Sequence, residues 1–387
     1  MKKVLLITTD KYPNGDAGSV RQYSFAKLYK ELGYEVTVVG LGNCTNYQLV
    51  TSDAISYISL RSAQNTLTAR VKNYVGFKSR LKRFLSNYGN CEYIHVVNIP
   101  VNALFYIKKY AQKHNIKLIH DSVEWYSPEQ FKNGRFSLQY IIKDKYNTKW
   151  IDKQFSVIAI SSFLEKHFKS RGINTVRIPV IMNVSAMRCE KRTAEDKTVF
   201  LYAGSPGKKD YLAEIIKGFS LLPQEILSRV ELQLLGINKE KLTVLCGVEE
   251  SAVEYMGNSL VCLGRVPREE VMNRLAAADF TVLLRSETQR YAKAGFPTKA
   301  VESLSTATPI ITNLTSDLGL YLKDGYNSII VSDCSPTAFS KALEKALCLS
   351  SEEKKLMYIN ARKTAEDHFD YRLYNLIISD LLNKEDK

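Results

Sequence analysis

The sequence lacks the patterns from which several classes of protein are built. Its seven cysteines among 387 residues are an odd number, scattered from Cys44 to Cys348, with no Cys-x-x-Cys pair. This spacing argues against a disulfide framework and predicts a reducing compartment. The five histidines share no metal-ligand spacing, so we expect no metal site and no metal cofactor.

Long apolar segments are also missing. No uninterrupted apolar run approaches the roughly 18–20 residues of a membrane span. Only six largely apolar residues, Val4 to Thr9, follow the initial Met-Lys-Lys, whereas a signal peptide needs roughly 7–15 apolar residues and a cleavage site. The sequence therefore predicts neither a spanning helix nor a signal peptide, and we expect a cytoplasmic protein.

Three phosphate-binding signatures are absent. The turn after the first apolar run has no Gly-x-Gly-x-x-Gly, which disfavours a dinucleotide-dependent dehydrogenase. The stretch Gly204-Ser-Pro-Gly-Lys-Lys209 is spaced wrongly for a Walker A loop, and no Ser or Thr follows its lysines. Asp-x-Asp does not occur, so a metal-clamped diphosphate site of that type has no support.

Positive charge is concentrated in the first half of the chain. Residues 1–185 carry 27 lysines and arginines against 12 acidic residues, whereas residues 186–387 carry 27 against 28. The asymmetry favours a nucleic acid, an anionic membrane or another polyanion as partner, or it is only a soluble basic surface. No recognition signature for nucleic acid accompanies the charge, so we expect no nucleic-acid partner.

Short apolar runs alternate with helical patterns along the whole chain, which predicts parallel βαβ units. The length of 387 residues suits two such domains with a ligand cleft between them. The polar stretch 186–197 is the best linker candidate. We predict an N-terminal domain at 1–185, a C-terminal domain at 198–365 and a terminal helix at 366–387. The predicted strands are Lys3–Thr8, Glu35–Gly40, Tyr93–Val97, Ile116–His120, Ser156–Ile160, Val176–Ile178, Thr198–Ala203, Glu231–Leu235, Leu260–Leu263, Thr281–Leu284, Pro309–Thr312 and Ser328–Val331.

The strongest local motif is Gly295-Phe-Pro-Thr-Lys-Ala-Val-Glu302, which follows a strand and a loop and opens an amphipathic helix. Backbone amides at the helix start and the nearby Lys299 would form an anion site. Glu302 lies one turn further and suits hydrogen bonds from a ribose diol. The same residues also fit an ordinary helix start with a surface Lys–Glu pair.

Two further predicted strand ends lie in the same domain. Gly204 to Lys209 forms a glycine-rich turn with two lysines, and Leu263-Gly264-Arg265-Val266 suits backbone contacts with a base. Taken singly, the first is also compatible with a flexible basic turn. Because carboxyl ends of parallel strands meet at one edge of a sheet, these motifs together predict a bound diphosphate.

With these motifs established, the chain resembles the family-4 glycosyltransferases of the GT-B fold over nearly its whole length. The most specific block is Gly295 to Ile311, which includes Glu302-Ser-Leu-Ser-Thr-Ala-Thr-Pro-Ile-Ile. The resemblance implies an α/β protein with two Rossmann-like parallel-sheet domains facing a cleft and a C-terminal helix crossing back to the N-terminal domain. The other matching stretches are Thr8 to Arg21, Leu118 to Asp121, Ala159 to Ser162, Gly204 to Lys209 and Leu263 to Val266.

The resemblance implies transfer of a sugar from a nucleotide-diphosphate sugar to an acceptor hydroxyl, with retention and without a metal. It suits the synthesis of cell-surface polysaccharide or glycolipid. It implies three catalytic residues: His120, Lys209 and Glu302. The donor-binding residues it implies are Gly15, Gly18, Gly204, Ser205, Lys209, Gly264, Arg265, Val266, Gly295, Phe296, Pro297, Thr298, Lys299 and Glu302. We expect Arg21, Asp121 and Glu124 on the acceptor side.

The sequence departs from the family pattern at two positions. Ala294 stands where the family usually has a first glutamate, and Ser205 stands where it usually has an arginine. Arg285 or Lys293 would be a substitute for the missing positive charge. Two other functions therefore stay open: a non-catalytic nucleotide-sugar-binding protein, and a nucleotide-sugar epimerase or phosphorylase.

Residues 70–85 combine an approximate apolar helical stripe with six lysines and arginines. Such a segment suits the anionic inner face of the plasma membrane, at about 1 kcal/mol for each basic residue near the surface. It also suits a solvated helix whose apolar side packs on its own domain. Membrane attachment would serve a lipid-linked oligosaccharide acceptor, whereas a free sugar acceptor would not need it.

Overall fold

The computed structural model describes residues 2–10, 12, 17–41, 49–52, 55–60, 67–191, 197–206 and 209–383. They form two compact units. The N-terminal unit combines the described residues up to Met182 with those from Tyr371 onward, and the C-terminal unit runs from Asn183 to Asp370. The first change of unit lies just ahead of the predicted linker, of which residues 192–196 are outside the described part.

The N-terminal unit contains one sheet of eight strands in its described residues, in the order β3-β4-β2-β1-β5-β6-β7-β8. Only β3 runs antiparallel to its neighbour β4. The central strand β1 is buried along Val4 to Thr8, as expected for a parallel sheet covered on both faces. The strands are β1 (Lys3–Thr8), β2 (Glu35–Gly40), β3 (Leu49–Ser52), β4 (Ile55–Ser59), β5 (Tyr93–Val97), β6 (Lys117–Ser122), β7 (Phe155–Ala159) and β8 (Thr175–Arg177).

Six helices accompany this sheet in the described residues before Met182. The first ends at Glu31, and Gly33 follows with φ +84°, a left-handed conformation that commonly terminates a helix. The helices are α1 (Ala17–Glu31), α2 (Leu67–Val75), α3 (Phe77–Tyr88), α4 (Val101–His114), α5 (Leu138–Lys145) and α6 (Ser162–Ser170).

The C-terminal unit contains a second sheet, with six parallel strands among its described residues in the order β11-β10-β9-β12-β13-β14. Each of them coincides with a predicted strand within one residue at either end. They are β9 (Thr198–Ala203), β10 (Val230–Leu235), β11 (Leu260–Gly264), β12 (Phe280–Leu283), β13 (Ile310–Thr312) and β14 (Ser328–Ile330). The carboxyl edge of this sheet is defined here by the ends of β9, β10 and β11.

The remaining helices follow the strands of the C-terminal unit, and the last returns to the N-terminal one. They are α7 (Leu212–Phe219), α8 (Gln224–Leu227), α9 (Leu242–Cys246), α10 (Glu250–Met256), α11 (Arg268–Ala277), α12 (Arg290–Ala294), α13 (Thr298–Ser305), α14 (Pro336–Leu347), α15 (Ser351–His368) and α16 (Asn375–Asn383). Residue 366, the predicted start of the terminal helix, lies within α15, and the change of unit follows only at Tyr371.

The C-terminal segment completes the core of the N-terminal unit. Ile378, Leu381 and Leu382 of α16 join the buried cluster that contains Phe25 and Tyr29 of α1. The Tyr93 hydroxyl also donates to the Leu382 carbonyl at 2.8 Å. The crossing of the C-terminal helix, implied by the family resemblance, is therefore confirmed by packing. Among the described residues, no helix is both long and apolar enough to cross a bilayer.

Candidate functional site

The carboxyl edge of the C-terminal sheet brings three backbone turns into contact. The Gly204 amide donates to the Leu235 carbonyl at 3.0 Å, and the Gly236 amide donates to the Gly264 carbonyl at 2.6 Å. A Cβ atom on Gly236 would lie 2.3 Å from the Gly204 carbonyl oxygen, and Gly236 has φ +96°. Glycine is therefore required here, because any side chain would force the ends of β9 and β10 apart.

Lys299 lies against Gly204 at this edge. A Cβ atom on Gly204 would be 2.5 Å from the Lys299 Cε atom and 2.8 Å from its Nζ atom. The ammonium also sits 5.0 Å from the centre of the Tyr202 ring, within cation–π range. The structure therefore brings together two predicted donor-binding residues, Gly204 and Lys299, from β9 and α13.

At the same sheet edge, the Asp210 carboxylate forms ion pairs with two cations, Lys299 and Arg285. Its Oδ2 atom accepts a hydrogen bond from Lys299 Nζ at 2.6 Å and from the Tyr202 hydroxyl at 2.8 Å. Its Oδ1 atom accepts from Arg285 Nε at 2.8 Å. Burial alone would raise the pKa of the Asp210 carboxyl, but Lys299 and Arg285 outweigh it and hold that pKa well below its usual range. The carboxylate is therefore charged throughout the neutral range.

Sequence reasoning did not identify Asp210 or Tyr202, and it named Arg285 only as an alternative. The signal available in the sequence was the alternation of strands and helices. Tyr202 lies next to the last residue of a predicted strand, and Arg285 directly follows another. Lys209, the predicted catalytic lysine, lies beside the cluster, with its Nζ atom 5.9 Å from the Tyr291 ring centre. The Tyr291 hydroxyl donates to the Lys209 carbonyl at 3.0 Å.

The segment Gly295 to Thr298 leads into α13 as the sequence predicts. Phe296 is buried, with its ring 5.7 Å from that of Tyr321 and 5.9 Å from that of Phe369, so its side chain packs inside the unit. Pro297 has no amide hydrogen. The backbone donors that this turn offers are therefore the amides of Phe296 and Thr298.

Glu302 and the β11 end lie on the same unit. Glu302 is 6% exposed, and its Oε1 atom pairs with Arg268 Nη1 at 2.6 Å. Gly264 has φ +62°, and a Cβ atom there would lie 2.2 Å from Asn238 Oδ1. Arg265 and Ser205 are exposed, whereas Val266 is half-buried against the core. Ala294, the position without the family's first glutamate, is fully buried.

In the N-terminal unit, Arg21 and Asp121 form a buried ion pair. Arg21 Nε and Nη2 lie 2.9 Å and 2.8 Å from the two Asp121 oxygens, and the side chains are 3% and 0% exposed. Arg21 also donates to the carbonyls of Ile178 and Pro179. The guanidinium of Arg21 is thus occupied within the unit. Gly18 lies in α1, and Gly15 is outside the described residues.

A cavity of about 590 Å³ opens in the N-terminal unit beside the carboxyl ends of β1, β5 and β6. His120, Asp121 and Glu124 line it together, and Tyr126 and Tyr146 contribute aromatic surface. Burial lowers the pKa of His120 from 6.5 to about 4, so the imidazole is neutral at pH 7. Within the described residues, its Nδ1 atom is buried without a hydrogen-bond partner.

The stripe predicted over residues 70–85 is divided in the structure. Gly76 separates α2 from α3, and Phe77, Leu81, Phe84 and Leu85 of α3 are buried in their own unit. Val71, Tyr74 and Val75 of α2 remain 63%, 49% and 64% exposed. The apolar side of α3 is therefore already packed, and only α2 presents apolar surface beside the basic residues.

Comparison with known proteins gives a family match for one unit. Residues 184–364 match the family model described as Glycosyl transferases group 1. The chain is also similar to an uncharacterized glycosyltransferase of Methanocaldococcus jannaschii, with 23% identity over 287 residues that cover 71% of this chain and 69% of that protein. The family match covers the C-terminal unit, and both matches are to glycosyltransferases.

Solved structures share the fold over almost the entire chain. Sucrose-phosphate synthase from Thermosynechococcus elongatus has a TM-score of 0.77 and 14% identity, with 98% of each chain covered. HepE of Anabaena, in complex with UDP and glucose, has a TM-score of 0.70 and 14% identity over 100% of both chains. WaaG, a glycosyltransferase involved in lipopolysaccharide biosynthesis, has a TM-score of 0.70 and 15% identity, covering 99% and 100%. The GT-B fold class is thereby confirmed.

Proposed function

We propose that this protein is a retaining glycosyltransferase that moves a sugar from a nucleotide-diphosphate sugar to an acceptor hydroxyl. The observation that carries the proposal is the cluster of Lys299 and Arg285 around Asp210, at the carboxyl edge of the C-terminal sheet. This cluster lies inside the segment that matches the group 1 glycosyl transferases. The UDP and glucose present in the HepE structure support a nucleotide sugar as the donor class.

The mechanism follows from where charge develops. As the glycosidic bond breaks, negative charge grows on the leaving diphosphate and needs fixed donors in a dry environment. In this proposal Lys299, Arg285 and Lys209 provide the cations, and the amides of Phe296 and Thr298 provide backbone donors. A single donor of this kind typically contributes about 2.7–4 kcal/mol to transition-state stabilisation. No metal is invoked, and we expect activity to persist in a chelator.

Glu302 would orient the nucleoside in this proposal. Arg268 occupies its Oε1 atom, which leaves Oε2 to accept from a ribose hydroxyl. Gly264, Arg265 and Val266 follow β11 nearby, where backbone groups suit a base. Arg268 then fixes the buried carboxylate in one orientation.

The cavity of the N-terminal unit is our proposed site for the acceptor. Its volume of about 590 Å³ falls within the range of small-molecule sites. Neutral His120 offers an unpartnered ring nitrogen to a sugar hydroxyl. Glu124 is a further acceptor of hydroxyl donors, and the tyrosine rings suit the apolar face of a pyranose.

We further propose a role in cell-surface polysaccharide or glycolipid synthesis, at the inner face of the plasma membrane. The similarity in fold to WaaG supports this class of pathway. Exposed Val71 and Val75 on α2, with Lys72 and the lysines of α3 nearby, support contact with an anionic leaflet. A lipid-linked oligosaccharide would then be the acceptor, because it is presented at that surface.

The first test is a thermal-shift panel of nucleoside diphosphates and their sugars. A ligand present at 100 times its Kd stabilises the folded protein by about 2.7 kcal/mol, which raises the melting temperature measurably. We expect one nucleoside diphosphate to raise the melting temperature more than the others do. The sugar of that nucleoside diphosphate should raise it by a similar amount. Absence of a shift with every nucleotide would contradict the donor proposal.

The second test distinguishes transfer from its alternatives. The protein is incubated with the donor in the presence of EDTA, first alone and then with acceptors, and the anomeric protons are followed by NMR. We expect a product in the presence of an acceptor, and its anomeric configuration should be that of the donor. A changed sugar with donor alone would identify an epimerase. A non-catalytic binding protein would bind the donor and form no product. This alternative is favoured by Ala294, a fully buried residue that stands where the family usually has a glutamate.

A further inference from the structure

Asp210 is fixed from both its backbone and its side chain. An antiparallel bridge joins its backbone to that of Arg285, and the Tyr211 amide donates to the Leu284 carbonyl at 2.9 Å. The carboxylate itself is 4% exposed and accepts from Tyr202, Lys299 and Arg285. The Asp210 carboxylate therefore holds its partners in fixed positions, because moving it would separate the end of β12 from the loop after β9.

The two cations keep donors that Asp210 does not use. Lys299 has three ammonium hydrogens, and its side chain is 22% exposed. Arg285 is 17% exposed and gives its Nε hydrogen to Asp210, while its terminal nitrogens make no hydrogen bond to any residue that the structure describes. Two cations around one carboxylate leave one net positive charge, with hydrogen-bond donors available at the carboxyl edge.

We propose that Asp210 is a positioning residue for the diphosphate of the donor, holding the Lys299 ammonium and the Arg285 guanidinium in place to bind it. This inference rests on the proposed function and deepens it. Arg285 supplies the second cation that Ser205, in the place of the family's usual arginine, does not provide. Asp210 does not touch the donor, and its effect passes through its two partners.

The charge of Lys299 depends on this arrangement. Burial lowers the pKa of Lys299, Asp210 raises it, and Arg285 lowers it further. The other charged group that acts on Lys299 is Glu302, and the Tyr202 ring packs beneath the ammonium. Without the Asp210 charge, Lys299 would lose its proton at a lower pH.

The experiment compares wild type with Asp210→Asn, which keeps the side-chain volume and removes the charge. Affinity for inorganic pyrophosphate is measured by calorimetry between pH 6 and pH 9. We expect the variant to bind severalfold more weakly than wild type at pH 6, because its two cations are no longer held by a carboxylate, and the difference to widen toward pH 9 as Lys299 loses its proton. The double variant Asp210→Asn with Lys299→Arg should recover affinity at pH 9, because its cation stays charged.

A matched control is Asp279→Asn, at the opposite end of the same sheet. Asp279 also accepts from a tyrosine hydroxyl, that of Tyr358, and from the Val199 amide. We expect its pyrophosphate affinity to equal that of wild type at every pH. If Asp210→Asn binds pyrophosphate as tightly as wild type at every pH, the inference is wrong. Wild type that binds neither pyrophosphate nor any nucleoside diphosphate would overturn the proposed function as well.

Discussion

Arg268 Nη1 lies 2.6 Å from Glu302 Oε1, so the carboxylate predicted to bind a ribose already holds one cation. The pair joins the first residue of α11 to α13, and Glu302 is buried while Arg268 is partly exposed. The pair links the helix that carries the donor signature to the turn after β11. The orientation of the Glu302 carboxylate therefore depends on a residue that the motif itself does not contain.

Glu302→Gln should weaken nucleotide binding. The substitution removes the negative charge from the group proposed to accept from a ribose hydroxyl, and hydrogen bonds to charged groups contribute about 1.5–3 kcal/mol. We expect at least about a tenfold loss of nucleoside diphosphate affinity by calorimetry, with little change for pyrophosphate. Arg268→Ala should show a smaller loss of the same kind. Equal losses for the nucleotide and for pyrophosphate would place Glu302 at the phosphates instead.

Lys299→Ala and Lys209→Ala should each lower kcat/KM by at least roughly 100-fold, because each removes a donor to the leaving diphosphate. The measurement is initial-rate transfer from the donor identified by thermal shift. Lys217→Ala is the control, since Lys217 forms an exposed pair with Glu249 on the surface of the same unit. Near wild-type turnover in Lys209→Ala would remove Lys209 from the catalytic residues.

Arg21→Ala should destabilise the protein strongly. It leaves the fully buried Asp121 carboxylate without its partner, and breaking a buried pair in this way typically costs about 3–5 kcal/mol. Chemical denaturation of wild type and variant checks this, with Lys30→Ala on the exposed side of α1 as the control, expected within about 0.5 kcal/mol. A stable Arg21→Ala protein that has lost only activity would instead show that Arg21 serves the substrate.

Stability should fall in mild acid because of His95 and His120. Burial lowers the pKa of each from 6.5 to about 4, so below pH 6.5 the unfolded chain binds protons that the folded chain does not. Each histidine then removes up to about 1.4 kcal/mol per pH unit until the pH reaches its folded-state pKa. In His95→Gln, the destabilisation relative to wild type should shrink between pH 7 and pH 5. A constant difference would contradict the lowered pKa of His95.

Removing the apolar surface of α2 should release the protein from anionic vesicles. We expect wild type to sediment with phosphatidylglycerol vesicles at low salt and to stay free at high salt or with phosphatidylcholine. Val71→Ser with Val75→Ser should weaken sedimentation severalfold at low salt. The control, Val244→Ser with Leu245→Ser, changes equally exposed residues on α9 and should bind as wild type does. Indifference of wild type to lipid charge would rule out this membrane surface.

The sequence alone determined the six described strands of the C-terminal unit and six of the eight in the N-terminal unit. Strands such as Thr198–Ala203 are buried on both faces, and their unbroken apolar runs make them recognisable without any partner. It missed β3 and β4 because a serine-rich strand such as Ile55–Ser59 alternates buried and half-buried residues and forms no such run. It also placed Gly204, Gly264 and Lys299 at one sheet edge, since parallel strands end together.

Tertiary structure decided which charges meet. Asp210 and Lys299 are 89 residues apart, and Arg21 and Asp121 are 100 apart, so no local spacing links either pair. Hydrophobic periodicity indicates which face of an element is buried. It does not distinguish a polar residue on that face that binds a ligand from one that forms an ion pair within the protein. Only the tertiary contacts of Lys299 with Asp210, and of Arg21 with Asp121, show that each of these side chains reaches a buried carboxylate.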